Sequence, residues 1–265
     1  MKEHTFGETK AVASLGTQFT GHDLDMPRRK RPSLFISLSY RLVWLSKYIL
    51  GPKRVLHFCL NASWLLRRFA FELCSEVFGD SFQSEARALS DDLLKRWIPP
   101  GGSVIDIGCG SGRWCRTAAR YGKRVVGIDQ SEMNIRAANR ISTETNVEYM
   151  VGDFMDARDQ NRFDRRFDLA ILLHVVEHVE DVDQLLQSIA QISSTLIIEV
   201  PDFDADPLNM VRRVLGCPYY SDGDHVREYT RPMLQSELER NGWTILHEEQ
   251  RHGAILAVAT HANPE

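Results

Sequence analysis

One short segment constrains the fold of this chain more than any other. It reads S-V-I-D-I-G-C-G-S-G-R-W over residues 103–114, an apolar run that ends near Asp106 and is followed by Gly108, Gly110 and Gly112. Glycine permits tight turns and lets the backbone approach a ligand closely, and a helix beginning after the last glycine offers free N–H groups. A dinucleotide fingerprint would place its third glycine at position 113, which is Arg113. The segment therefore predicts a strand, a ligand-binding turn and a helix, but not a dinucleotide site.

The sequence around this segment alternates short apolar runs with charged, helix-like segments. Such alternation is typical of βαβ units with a mostly parallel sheet. The link between the last two apolar runs, H-E-E-Q-R-H-G-A, is too short for a crossover helix and predicts an antiparallel hairpin. The runs that we expect to form strands are residues 103–107, 124–128, 147–151, 167–173, 195–200, 244–247 and 255–260.

The glycine-rich segment, as D-x-G-x-G-x-G, resembles motif I of the class I S-adenosylmethionine-dependent methyltransferases. Later segments extend the resemblance over roughly residues 85–265: V-V-G-I-D-Q-S, V-E-Y-M-V-G-D-F, F-D-L-A-I-L-L-H-V-V-E-H-V, L-I-I-E-V-P and a late helix leading to G-W. The resemblance implies an α/β, Rossmann-like, seven-stranded and mostly parallel sheet with an antiparallel last strand. It also implies S-adenosyl-L-methionine as the cofactor, bound at the carboxyl ends of the strands.

The resemblance implies a set of cofactor-binding residues. Asp129 would accept hydrogen bonds from the ribose diol, Asp153 would contact the adenine, and Met133 would pack on the adenine. Each has a competing interpretation: Asp129 as a helix cap, Asp153 as a turn residue, and Met133 as a core residue. Cys109 is interpreted as a small residue that fits the turn. The full predicted set is Asp106, Gly108, Cys109, Gly110, Gly112, Asp129, Gln130, Met133, Asp153, Phe154 and His174.

Two histidines are candidates for the general base that an oxygen nucleophile requires. His225 belongs to a polar cluster after the insertion 202–224, and His174 follows the fourth predicted strand. The competing interpretation of His225 is a capping or solvent-facing residue. His178 is interpreted as mainly structural. The i, i+4 spacing of His174 and His178 lacks further ligands, so we predict no metal site.

The N-terminal part differs from the rest in charge. No acidic residue occurs from Met26 to Phe71, where ten basic residues lie, and the remainder carries 22 basic against 36 acidic residues. Apolar residues at 3,4 spacing predict helices on both sides of Gly51-Pro52, and a third helix from about Ser84 to Trp97. We predict a flexible basic tail over 1–32, a helical N-terminal cap over 33–98 and a methyltransferase domain over 99–265.

The basic helices have three interpretations. The first is a cap over the acceptor site. The second is a peripheral membrane contact through residues 28–71, which would fit a lipid, quinone or lipid-linked sugar acceptor. The third, nucleic-acid binding, is disfavoured by the overall pI of about 6.2 and the lack of a recognisable module.

Composition bounds the remaining alternatives. The five cysteines form no C-x-x-C pair, the first residues lack a secretory apolar region, and Arg41 and Lys47 interrupt the most lipid-like run. We therefore expect a reduced, cytoplasmic protein, with the membrane surface as the alternative location. The predicted function is methyl transfer to a small-molecule or lipid-linked acceptor at oxygen, with carbon and nitrogen as alternatives. The rival hypotheses are a silent cofactor-binding partner subunit and an RNA methyltransferase.

Overall fold

The computed structural model describes residues 34–78, 89–159, 162–163 and 166–262. The predicted basic tail and residues 84–88 of the predicted third helix lie outside them. The described chain divides into two compact units: unit 1 contains residues 34–78 and Asp206–Tyr219, and unit 2 contains residues 89–205 and 220–262. The division of the sequence at residues 32/33 and 98/99 stays a prediction.

Unit 2 is built on a seven-stranded sheet of order β3-β2-β1-β4-β5-β7-β6. All neighbouring strands from β3 to β5 pair in parallel, whereas β7 runs antiparallel to both β5 and β6. The predicted fold and the terminal hairpin are thus confirmed. The strands are β1 (Ser103–Ile107), β2 (Arg124–Asp129), β3 (Val147–Val151), β4 (Leu169–Leu173), β5 (Thr195–Pro201), β6 (Trp243–Arg251) and β7 (Ala254–His261).

Helices cover both faces of this sheet because alternate residues of its central strands point to opposite sides. Ile105 and Leu172 belong to one buried cluster, and Val104 and Ile171 belong to the other. Each cluster is completed by apolar residues of the connecting helices. The two units contain α1 (Leu34–Leu50), α2 (Pro52–Phe78), α3 (Asp91–Trp97), α4 (Arg113–Ala118), α5 (Glu132–Ile141), α6 (Phe154–Asp159), α7 (Val182–Ile192), α8 (Leu208–Leu215) and α9 (Arg231–Arg240).

The helix α3 begins later than its sequence pattern suggests. The Ser90 side chain accepts a hydrogen bond from the Leu93 amide and caps the helix at Asp91. The prediction that residues 89 and 90 are helical is therefore wrong. The helix begins at Asp91 because a serine at the N-cap satisfies amides that would otherwise lack partners.

Unit 1 consists of α1, α2 and α8. Gly51, with φ of 82°, separates α1 from α2 at the predicted position. Among the described residues of α1 and α2, only Leu60 is buried. Within the described residues, each helix is too short or too polar to cross a bilayer.

Candidate active site

The glycine-rich turn after β1 has two packed glycines and one open one. All three have positive φ: 73° at Gly108, 53° at Gly110 and 75° at Gly112. A Cβ on Gly108 would lie 2.6 Å from Val175 Cγ2, and one on Gly112 would lie 2.4 Å from Tyr149 Oη. A Cβ on Gly110 would meet no atom within 4 Å. The turn therefore presents its backbone to open space at Gly110.

The backbone of this turn is held by β2. The amides of Gly108 and Cys109 both donate to the Ile128 carbonyl, at 2.8 and 3.1 Å. The Cys109 side chain is buried, as its interpretation as a small fitting residue requires. These bonds fix the turn at the carboxyl ends of β1 and β2, the edge where open α/β sheets bind ligands.

Asp106 lies beneath the turn rather than on its open side. Its carboxylate is buried and accepts a 3.2 Å hydrogen bond from Cys115 Sγ of α4. Burial raises the pKa of Asp106 to about 7; the bond from Cys115 opposes the rise, and the negative charge of Asp129 adds to it. Asp106 thus joins β1 to α4 and supports the turn from below.

Asp129, the last residue of β2, connects the turn to α5. Its Oδ2 accepts from the Gly110 amide at 2.8 Å. Its Oδ1 accepts from the Ser131 amide at 2.8 Å and from Asn134 Nδ2 at 3.2 Å. The N-cap of α5 is Ser131, whose Oγ accepts from the Asn134 amide. The capping role is therefore filled by Ser131, and the Asp129 carboxylate lies beside the open glycine.

The next strand end adds a second polar pair. Gln130 Nε2 donates to Asp153 Oδ2 at 2.5 Å, and Asp153 Oδ1 accepts from the Met155 amide at 2.7 Å. Asp153 therefore holds the N-terminus of α6 as well as Gln130. Met133 is 77% exposed, which removes its interpretation as a core residue.

Phe154 is a predicted cofactor-binding residue whose side chain points elsewhere. It is buried in the core, and its ring stacks on Phe163 with centroids 5.9 Å apart. The reason is its place in the first turn of α6, which packs against the sheet. A contact of Phe154 with a ligand at the strand ends would therefore involve its backbone, and its cofactor-binding role stays a prediction.

His174 follows β4 with a left-handed backbone, φ of 56°, and lies between two buried carboxylates. Its Nδ1 is 3.1 Å from Glu177 Oε1, and its Nε2 is 2.9 Å from Glu199 Oε1. Glu199 Oε2 also accepts from the Leu89 amide at 2.7 Å. The contact of Nε2 with Glu199 is a hydrogen bond, whereas Nδ1 lies at ion-pair distance from Glu177. Both ring nitrogens of His174 therefore lie beside buried carboxylates.

His225 has the arrangement expected of a general base. Its Nδ1 lies 2.9 Å from Glu228 Oε1 and 3.2 Å from Ser221 Oγ, whereas Nε2 has no hydrogen-bond partner among the described residues. Burial opposes protonation of the ring, but the hydrogen bond and charge of Glu228, with the charges of Glu177 and Asp222, outweigh it and raise the pKa of His225. The ring also contacts His178, with centroids 4.6 Å apart.

The cluster around His225 also contains possible metal ligands. Glu177, His178 and His225 each offer a ligand atom, and these atoms lie within 4.8 Å of one another. The sequence pattern instead suggests His174 and His178 as a metal-binding pair, at the i, i+4 spacing of an α-helix. The structure has a short 3₁₀ turn there, Val176–His178. This trio could hold a divalent cation through one carboxylate and two imidazoles.

Sequence reasoning missed one acidic residue of the site, Glu199, and assigned no role to Glu177 and Glu228, which lie near the candidate histidines in the sequence. Glu199 did carry a signal, since it is the single charged residue in the otherwise apolar strand β5. A fully buried acid in such a strand needs a partner, and His174 supplies it. Glu228 belongs to the same polar cluster of the sequence as His225, three residues later, and the fold brings its Oε1 to Nδ1.

One cavity of about 440 Å³ lies away from these residues. Its lining includes Asp168 and Thr195, at the amino ends of β4 and β5. Those ends lie opposite the glycine-rich turn, so this cavity is separate from the candidate active site.

Comparisons with known proteins agree with this geometry. A family model described as a methyltransferase domain matches residues 81–248. The ubiquinone biosynthesis O-methyltransferase of Mesorhizobium japonicum is 39% identical over 90 residues, covering 33% of this chain and 35% of that protein. The Bartonella quintana protein of the same name is 27% identical over 154 residues, covering 55% of this chain and 61% of that protein. The chain thus matches less than two thirds of the length of either relative.

Solved structures share the fold. The magnesium protoporphyrin IX methyltransferase of Synechocystis PCC 6803, crystallised with bound SAH, superposes with a TM-score of 0.51 at 20% identity. The superposition covers 65% of this chain and 82% of that one. Since the family match covers more than half of the chain and includes the glycine-rich turn and all of β1 to β5, the chain belongs to the class I S-adenosylmethionine-dependent methyltransferases.

Proposed function

We propose that this protein transfers a methyl group from S-adenosylmethionine to an oxygen atom of a small-molecule acceptor. The observation that carries the choice of oxygen is the pair formed by His225 and Glu228, 2.9 Å apart. A hydroxyl nucleophile must lose a proton during methyl transfer, and an imidazole oriented by a carboxylate is suited to accept it. The names of the two relatives, both O-methyltransferases, support the same choice.

The residues at the strand ends fit the cofactor. Open space at Gly110 leaves room for a ligand against the backbone, and the Asp129 carboxylate beside it can accept hydrogen bonds from a diol. Asp153 with Gln130, and the exposed Met133, form the neighbouring part of the surface. When bound, the cofactor supplies a methyl group on a sulfonium, which is already an excellent leaving group. The chain then has to align the acceptor and exclude water.

The proton route follows from the contacts of His225. Glu228 holds Nδ1, so Nε2 is the nitrogen that accepts the acceptor's proton. The nearby charges of Glu228 and Glu177 stabilise the imidazolium that forms. His174, with a carboxylate beside each ring nitrogen, acts instead as a positioning residue that joins the ends of β4 and β5.

The acceptor is a lipid-linked molecule. Support comes from the exposed apolar side chains of α1 and α2 and from the absence of acidic residues from Met26 to Phe71. The two relatives are named for ubiquinone biosynthesis, which agrees with an acceptor of this kind.

The test combines cofactor binding with methyl transfer. Calorimetry should detect binding of S-adenosylhomocysteine to the wild type and to the His225→Ala variant alike. Transfer of labelled methyl to a catechol bearing an isoprenoid tail should fall about 10²-fold or more in His225→Ala at saturating cofactor. A chain that binds the product cofactor but methylates no catechol would favour the silent partner subunit, and full activity of His225→Ala would remove the general base.

A further inference from the structure

Unit 1 exposes an unusual amount of apolar surface. In α1, Leu34 and Ile49 are more than four fifths exposed, and Leu60 is the only buried residue among the described residues of α1 and α2. Exposed apolar surface of this extent is typical of a binding surface, so we expect a further apolar partner to cover α1 and α2. The large exposed side chains are Leu34, Ile36, Leu38, Tyr40, Leu42, Val43, Trp44, Leu45, Tyr48, Ile49, Leu50, Leu56, Phe58, Leu65, Leu66, Phe69, Phe71, Leu73 and Val77.

The insertion after β5 adds a third helix to this surface. Arg212 of α8 is buried, and its guanidinium donates to Ser63 Oγ of α2 at 2.8 Å and to Asp206 Oδ2 at 3.0 Å. Asp206 also accepts from Arg67 of α2 at 3.1 Å. These bonds fasten α8 to α2, while α8 exposes Leu208, Met210, Val211, Val214 and Leu215. The apolar surface is therefore assembled from two distant parts of the sequence.

Basic residues dominate most of this surface. Every charged residue from Leu34 to Phe71 is basic, and α8 adds the exposed Arg213. The acidic residues in the described part of unit 1 are Glu72 and Glu76 near the end of α2, and Asp206, which pairs with Arg67 and Arg212. Lys47 Nζ lies 3.7 Å from the centre of the Trp44 ring and 5.0 Å from that of Tyr48. Basic groups beside Trp and Tyr are typical of helices that lie in the headgroup region of a bilayer.

The geometry points to unit 1 as a docking surface for an anionic lipid bilayer, on which α1, α2 and α8 lie without crossing it. This inference rests on the proposed function in one respect, that the acceptor is presented at the same lipid surface. Basic segments near a membrane are attracted to anionic lipid headgroups, and the exposed apolar side chains then enter the acyl boundary.

Charge distinguishes this occupant from a second copy of the chain. Two copies joined through this surface would bring the six basic residues of segment 34–71 in one copy against the same six in the other. Like charges repel across such a contact, whereas an anionic bilayer neutralises them.

Vesicle flotation of the full-length protein tests the inference. The wild type should float with vesicles of phosphatidylcholine mixed with phosphatidylglycerol at low salt, and not with phosphatidylcholine alone. The variants Leu45→Gln/Ile49→Gln and Arg41→Gln/Lys47→Gln should each bind the anionic vesicles about tenfold or more weakly. All four positions are on α1, and Leu45 and Ile49 are exposed, so these changes leave no buried cavity.

Matched substitutions on unit 2 serve as controls. Ile141→Gln/Leu246→Gln removes two exposed apolar side chains, and Lys95→Gln/Lys123→Gln removes two exposed charges. Both should bind the vesicles like the wild type. Trp44→Phe should reduce the blue shift of tryptophan emission on vesicle binding while retaining the binding itself, with Trp64 of α2 supplying the remaining shift.

Wild-type protein that stays unbound at low salt would overturn the inference, as would control pairs that lose as much binding as the α1 variants. The inference would also be overturned by a wild-type dimer that does not bind vesicles and that the Leu45→Gln/Ile49→Gln substitutions convert to a monomer. Binding of S-adenosylhomocysteine without vesicle binding would remove only this inference. Vesicle binding by a chain with no affinity for S-adenosylhomocysteine would remove only the proposed function.

Discussion

The two candidate histidines differ in what their ring nitrogens contact. His174 meets a carboxylate on each nitrogen, whereas His225 meets Glu228 and Ser221 on Nδ1 only. From the sequence, His174 was a candidate at the end of the fourth predicted strand, and His225 was the favoured candidate, in the polar cluster after the insertion 202–224. The fold distinguishes them through Glu199, which comes from another strand and binds Nε2 of His174 but not that of His225.

The pH dependence of activity follows from the raised pKa of His225. A general base works in its neutral form, so kcat/KM should rise with pH through a value above the ordinary imidazole pKa of about 6.5. Glu228→Gln removes the charge that stabilises the imidazolium, so the acidic limb should move to lower pH. Methyl transfer measured from pH 5 to 9 (about the range in which imidazoles titrate) checks this. A limb that stays in place in Glu228→Gln would contradict it.

Substitutions at two glycines of the turn should have different effects, one mainly on folding stability and the other mainly on binding of S-adenosylhomocysteine. Gly112→Ala places a Cβ on the Tyr149 ring at positive φ and should lower the free energy of unfolding by about 3 kcal/mol. Gly110→Ala adds only the backbone strain, about 1 kcal/mol, because its Cβ meets open space. We expect Gly110→Ala to fold and to bind S-adenosylhomocysteine more weakly. Urea denaturation and calorimetry measure the two effects, and unchanged affinity in folded Gly110→Ala would contradict the assignment of the open side.

At the scale of elements, one ionic cluster joins three parts of unit 2. His174 after β4 and Glu199 within β5 hold each other, and Glu199 also accepts from Leu89, just before α3. The carboxyl ends of two strands and the entry to a helix are thus tied at one point. These contacts hold the carboxyl edge of the sheet, where the candidate active site lies, in one arrangement.

Removing the His174 imidazole should therefore destabilise the sheet. His174→Asn keeps a residue that tolerates positive φ but removes the ring that lies beside Glu177 and Glu199. We expect a loss of about 2 kcal/mol in urea denaturation, because both carboxylates are buried. His247→Asn, which alters a partly exposed pair with Glu249, is the matched control and should cost less than about 1 kcal/mol. Equal losses in the two variants would argue against the tie.

At the scale of the molecule, the two units differ in how much they bury. The central strands of unit 2 are almost completely inaccessible, whereas α1 and α2 bury Leu60 alone among their described residues. Local stability follows buried apolar contact, so the units should open independently and at different cost.

Hydrogen exchange measured by mass spectrometry should reveal this difference. Amides of β1, β4 and β5 should exchange slowly, and those of α1 and α2 should exchange about 10²-fold or more faster in buffer. Anionic vesicles should slow exchange in α1, α2 and α8 and leave β1 unchanged, because only unit 1 gains a partner. Slow exchange of α1 in buffer, or slowing of β1 by vesicles, would contradict this division.

Local sequence patterns determined much of the fold. The alternation of apolar runs and helical segments, the glycine-rich turn and the short link before β7 each depend on neighbouring residues, and each predicted its element correctly. The break at Gly51-Pro52 is local in the same sense. The family resemblance also came from short motifs in order, which the family match to residues 81–248 bears out.

Tertiary structure alone decided the chemistry of the site. It paired His174 with Glu199, 25 positions away, turned the Phe154 ring into the core, and grouped Glu177 with His178 and His225. It also fastened α8 to α2 through Arg212, across about 150 positions of sequence. Local propensity records only near neighbours, whereas protonation, burial and partner choice depend on which distant groups the fold brings into contact.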